Sequence, residues 1–182
     1  MRFKGAPGRA ACALLGALCL QWQAPARAQA VPEYDLKAAF VFNFAVFTDW
    51  PGEALPGGAA MTICAYAGNK LLPALGALND KLVKGHQVSV RTLGGRDGAR
   101  GCQILILDGQ DRERWTQLRK DLAGASVLTV ADERGAGAGD DGVAIALSVE
   151  NRRIGFDVDL TALRLARLTL SSKLLRLARS VQ

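Results

Sequence analysis

The sequence predicts a single α/β domain of three layers: a mixed, mostly parallel sheet with helices on both faces, closed by a C-terminal hairpin and further helices. Three observations lead there. Runs of strand length at 61–66, 87–93, 103–107 and 127–130 are separated, in the middle of the chain, by segments of helical character. That order is the mark of β-α-β units around a parallel sheet. Residues 143–149 and 152–159 flank Glu150-Asn151-Arg152, a hairpin turn that adds antiparallel strands. In the last strand Ile154, Phe156 and Val158 point one way and Arg153, Gly155, Asp157 and Asp159 the other, the period of a strand with one buried face.

The first thirty residues stand outside that domain. Arg2, Lys4 and Arg9 precede an apolar run, Ala10 to Leu20, and Ala28-Gln29-Ala30 is a small-x-small cleavage site. Together they predict a secretory signal peptide over 1–30, with an apolar stretch too short to span a bilayer. The domain is then 31–182. Four of the 23 Lys+Arg lie in the leader and no acid does, which leaves 19 bases against 17 acids, a net charge of +2 rather than +6. A nucleic-acid partner loses its electrostatic basis with that correction. Cys12 and Cys19 leave with the leader. The remaining pair, Cys64 and Cys102, is most simply a disulfide in an exported chain, with two buried free thiols as the alternative. Closing that loop stabilises by roughly 3–4 kcal/mol in the chain-entropy account.

In chain order, Glu33 to Trp50 reads as a helix stopped at Pro51, because the residue before proline disfavours helical backbone. It carries Phe40, Phe42, Phe44 and Phe47 and is apolar nearly all round from Ala38 to Phe47, so it is either buried or has one face on a partner. A proline- and glycine-rich loop leads to the strand Met61–Tyr66. Asn69 caps a helix to about Leu78, with Pro73 in its first turn. Gln87–Leu93 alternates as a strand, Gln103–Leu107 is apolar, Asp111–Leu122 is an amphipathic helix, and Val127–Val130 begins the next strand. After the last strand, Leu160, Leu163, Leu170, Leu174 and Leu177 recur at helical spacing. Ser171 and Ser172 interrupt the run and can cap a second helix. Strand, short helix, break and short helix is therefore the expected ending.

Most catalytic chemistries lack their parts. The one histidine, His86, follows Gly85 in an expected turn and reads as a solvated surface residue. Two cysteines bonded to each other leave no thiolates for zinc. Gly135 to Gly139 leads into a strand rather than a helix, which a dinucleotide-phosphate loop requires. Asp132, Glu133, Asp140 and Asp141 lack calcium-loop spacing and read as flexible loop. Ser171-Ser172-Lys173 misses the serine-x-x-lysine register, so capping is the better reading. Arg164 and Arg167 are three apart, as are Lys173, Arg176 and Arg179, which aligns each set on a helix face. That face is either solvated or a recognition surface.

Two end segments carry a resemblance. EYDLKAAFVFNFAVFTDWP and RRIGFDVDLTALRLARLTLSSKLLRLA resemble the opening and closing signatures of the YfiR/HmsC-like family, and ICAY, KGHQVSVRTL, GCQILIL and VLTVAD fit between them. The resemblance covers essentially all of 31–182. It implies a mixed sheet flanked by helices and a non-enzymatic periplasmic regulator without cofactor or metal. Such a regulator binds the periplasmic sensor domain of an inner-membrane diguanylate cyclase and represses it, lowering cyclic di-GMP and biofilm formation. An outer-membrane lipoprotein that sequesters the repressor, a redox-sensitive disulfide and a homodimer are further implications. Some members carry a second cysteine pair near the closing hairpin. VAIALSVENRRI has none, so redox control here would run through Cys64 and Cys102. Arg164, Arg167 and Lys173 are the expected partner contacts. A periplasmic small-molecule-binding module reporting to a sensor kinase or transporter is the alternative from another class, and a hydrolytic enzyme is a distant third.

Overall fold

The computed structural model describes residues 31–132, 142–151 and 153–182. The expected leader, the loop from Glu133 to Asp141 with its glycines, and Arg152 of the hairpin turn lie outside the described residues. In order come α1 (Glu33–Phe47), β1 (Thr48–Asp49), β2 (Met61–Tyr66), α2 (Leu72–Gly76), β3 (Leu82–Val83), β4 (His86–Leu93) and β5 (Ile104–Leu107). A 3₁₀ turn (Gly109–Asp111) opens α3 (Arg112–Asp121), followed by β6 (Leu128–Asp132), β7 (Ile145–Glu150) and β8 (Arg153–Val158). The chain ends in α4 (Leu160–Leu165), β9 (Thr169–Leu170), α5 (Ser172–Leu175) and β10 (Ser180–Val181).

Among the described residues the strands form an eight-stranded sheet in the order β10-β8-β7-β6-β5-β2-β4-β3, with a separate β1-β9 pair. The central strands β4, β2, β5, β6 and β7 are parallel, and the β7-β8 hairpin and β3 are antiparallel to their neighbours. The mixed, mostly parallel α/β fold expected from the sequence is the one found. Strand pleating divides its core in two. Met61, Ile63 and Ala65 of β2 join Ile104 and Ile106 of β5 beneath α1, α2, α4 and α5. Cys64, Tyr66, Leu105 and Leu107 face α3 through Trp115 and Leu118. Strands buried on both faces read as unbroken apolar runs, which is why MTICAY and QILIL show no clean alternation.

Local chemistry departs from expectation at four places. First, α1 ends at Phe47 rather than Trp50, because Thr48 turns extended and pairs with Leu170, and its Oγ1 donates to the Phe44 carbonyl at 2.6 Å. Proline restrains only the residue directly before it. Second, α2 is one short turn. Asn69 stands outside it, where its Oδ1 accepts the Leu71 N–H at 2.9 Å, and Pro73 lies in its first turn. Third, His86 opens β4, half-buried, with Nδ1 2.8 Å from the Ala59 carbonyl oxygen, and is not a solvated turn residue. Fourth, the leucine stripe of the C-terminal segment is broken. Leu163, Leu170 and Leu174 are buried but Leu177 is 71% exposed, since α5 is a single turn and the chain leaves it for the sheet edge.

The break in that segment is itself structure. Thr169 and Leu170 form β9 against β1, and the Ser171 N–H donates to the Phe47 carbonyl at 2.9 Å. Ser171 then caps α5 by accepting the Lys173 N–H, while Asp159 caps α4 by accepting the Thr161 and Ala162 N–H groups at 2.7 and 2.9 Å. The two ends of the domain are thereby sewn together.

Candidate functional site

Cys64 of β2 and Cys102, just ahead of β5, are bonded, with a Cα–Cα distance of 5.9 Å. Both sulfurs lie in the α3-side core, and the residues are at most 1% exposed. Arg91 sits opposite Cys64 on β4 and its Nη2 approaches Cys102 Sγ at 3.4 Å. The bond therefore ties the entry of β5 to the middle of β2, in the sheet centre, where a cross-link restrains both cores.

The basic residues of the C-terminal segment are exposed but do not form the aligned helix faces that their spacing suggests. Arg164 lies on α4 with Nη2 donating to Thr161 Oγ1 at 2.8 Å. Arg167 is past the helix end. The Leu168 N–H reaches the Leu163 carbonyl at 2.9 Å and the Arg167 N–H the Arg164 carbonyl at 3.0 Å. This is the pair of bonds of a Schellman C-cap, whose left-handed position is usually glycine. Arg167 holds that position with φ +56°. Its guanidinium meets Glu53 at 2.9 Å and the Gly124 carbonyl at 3.4 Å. Lys173 is in the first turn of α5, separated from both arginines by β9. Arg176 caps α5 and Arg179 is drawn away to Glu150 and Asp157, which raise its pKa by hydrogen bonding to its charged form. A helix that stops after four residues cannot carry Lys173, Arg176 and Arg179 on one face. Between Arg164 and Arg167, Leu165 (72% exposed) and Ala166 border an apolar groove of about 360 Å³ with Trp115, Leu122 and Val127 on its other wall.

Sequence reasoning missed the polar cluster at the C-terminal ends of the parallel strands. Lys37 of α1 is fully buried and pairs with Asp132 Oδ1 at 2.6 Å and Glu33 Oε1 at 2.7 Å. Burial works against its charge. Hydrogen bonds to Asp132 and Glu33, and their charges, outweigh burial and raise its pKa. Asp132 is thus the buried last residue of β6, not part of the flexible loop in which its sequence context places it. Nearby, Asp108 and Asp111 reciprocally cap the 3₁₀ turn. Burial, with the Asp108 charge adding to it, raises the Asp111 carboxyl, against the backbone hydrogen bond from Asp108 and the charge of Arg114. Arg114 also stacks over the Tyr66 ring, 4.3 Å from its centroid. The available signal was the Glu33/Lys37 spacing of four, a helix ion-pair register beside an apolar run.

Among the described residues no group of three or more histidine, cysteine, aspartate or glutamate side chains is placed to hold a metal, and no helix is long and apolar enough to cross a membrane. The family model described as YfiR/HmsC-like matches residues 34–179. No curated protein matches. Among solved structures, the chain is similar to a conserved domain protein from Vibrio cholerae, with a TM-score of 0.56 at 8% identity over 84% of this chain. The match spans 61% of that protein's length, and at that identity it speaks to the fold alone.

Proposed function

Because this chain belongs to the YfiR/HmsC-like family, we propose that it is a periplasmic regulator, exported by a cleaved leader over residues 1–30. It binds the periplasmic sensor domain of an inner-membrane diguanylate cyclase and holds that cyclase inactive. The observation that carries this reading is the extent of the family match, which runs from the first turn of α1 past α5 to residue 179. Repression works as a population shift: a protein that binds the sensor's inactive state more tightly than its active state lowers cyclic di-GMP without chemistry of its own. An outer-membrane lipoprotein competing for the repressor, or a change at Cys64–Cys102, would relieve it, and the repressor can act as a homodimer.

Arg164, Arg167 and Lys173 are the proposed contacts. Support comes from the backbone of Arg167. A left-handed non-glycine residue costs roughly 1–2 kcal/mol, while its ion pair with Glu53, both side chains more than half exposed, returns about 0–1 kcal/mol. Folding alone gives little reason for arginine there, and strained positions gather at recognition sites. The exposed Leu165 between the two arginines adds an apolar centre to a charged rim, the usual anatomy of an interface.

Cellular cyclic di-GMP measured in a deletion strain tests the function. It should rise on deletion and return when the intact gene is restored. An unchanged level in cells that normally express the protein would sink the reading. Charge reversal at Arg164 and Arg167 should weaken binding to the purified sensor domain at least about tenfold while the fold is kept. Unaltered affinity would remove these residues as contacts.

A further inference from the structure

β2 and β5 are neighbours in the sheet, yet the chain leaves them in opposite directions: from β2 through α2 toward β4, from β5 through α3 toward β6. The crevice outside their C-terminal ends is a topological switch point, the place where open α/β sheets receive ligands. A cavity of about 140 Å³ lies there, lined by Tyr34, Lys70, Asp108, Gly109, Gln110 and Asp132. Tyr34, from the first turn of α1, closes one side.

The polar groups of this cavity are incomplete in a specific way. Asp108 is 7% exposed; its Oδ1 accepts the Gln110 N–H at 2.8 Å, but its buried Oδ2 has no hydrogen-bond partner among the described residues. Buried carboxylate oxygens are rarely left unpaired, because the lost hydration is not replaced. Asn69, beside Lys70 and 5% exposed, likewise has an unpartnered Nδ2. Asp132 is satisfied by Lys37 and leaves Asp108 as the open acceptor. Lys70 is exposed and makes no ion pair among the described residues.

Charge then selects the class of occupant. Lys37 and Asp132 neutralise each other, so a metal cation would meet the ammonium of Lys70 and a simple anion would meet the carboxylate of Asp108. A zwitterion matches both ends. The volume equals that of roughly four to five waters and falls below the range of drug-sized pockets, so the occupant is small. We infer that the switch-point cavity binds a small zwitterionic amino acid, its ammonium on the Asp108 carboxylate and its carboxylate on Lys70. This effector site is independent of the proposed repression and lies on a different part of the domain from Arg164, Arg167 and Lys173.

Titration of the ¹⁵N-labelled protein with glycine, L-alanine, L-serine and β-alanine tests it. At least one should give saturable amide shifts at residues 68–70 and 108–110 by about 10 mM, ten times a millimolar dissociation constant. Methylammonium and acetate, each carrying half of the zwitterion, should bind at least about tenfold more weakly. Asp108→Asn keeps an oxygen for the turn, and Lys70→Ala alters only an exposed side chain. Each should weaken binding about tenfold or more. Should Asp108→Asn fail to fold, Lys70→Ala decides alone. No saturable shift with any of the four, shifts confined to other residues, or binding unaffected by the variants would overturn the assignment.

Discussion

Two ion pairs hold opposite ends of this domain, and they do different things. Lys37–Asp132 joins α1 to β6 with a lysine that water does not reach. Arg167–Glu53 joins the C-terminal segment to the loop after β1 with both side chains largely in water. The chemistry is the same and the surroundings are not. In the first, each charge has been stripped of hydration, so either partner alone is a severe liability. In the second, water replaces whatever is lost. The α1–β6 junction is therefore an obligate part of the fold, whereas the C-terminal segment keeps in Arg167 a cation that folding does not need.

The sharpest way to break that contrast is Lys37→Met. Taking the lysine away from the buried Asp132 should cost about 3–5 kcal/mol in urea unfolding, and Lys37→Met with Asp132→Leu should recover most of it. A single variant as stable as the parent would show that the junction is not buried in solution. Alkali tests the same pair without mutation. The folded pKa of Lys37 is raised above its ordinary 10.5, so the stabilisation is complete below that value and is lost as pH rises through the folded pKa. Thermal midpoints between pH 8 and 12 should fall further in the parent than in the double variant. At the other end, Asp159→Ala removes the α4 cap and should cost about 1 kcal/mol, a smaller effect because the helix is short and largely held by Leu163. The smallest change in stability belongs to Arg167→Gly. Relief of the left-handed backbone offsets the lost ion pair, and stability should stay level or rise by up to about 1 kcal/mol. Binding to the sensor domain should fall nonetheless. A destabilisation of 2 kcal/mol or more would make Arg167 structural and end the contrast.

These two regions also mark how far the sequence could be read. β2, β4, β5, β6 and the β7–β8 hairpin announce themselves through apolar runs and the alternation of Ile154, Phe156 and Val158, because burial acts directly on composition. The helix α3 does so through its amphipathic face. The β1–β9 pair is invisible: two residues on each side have no periodicity, and their pairing depends on the fold bringing Thr48 beside Leu170. The same long-range placement hides Lys37–Asp132, of which only the Glu33 half is local. The helix end before Arg167 escaped for a different reason. A Schellman cap is normally signalled by glycine, and here the signal residue is arginine.

The position of the disulfide gives it a timing role as well. Both sulfurs are shut inside the core under α3, and a thiolate must reach a sulfur to exchange with it. Reduction in the native protein must wait for that core to open. The rate at which a mild reductant cleaves Cys64–Cys102 is then a clock for the breathing of α3 against the sheet, and any signal that loosens α3 becomes a signal that the redox environment can read.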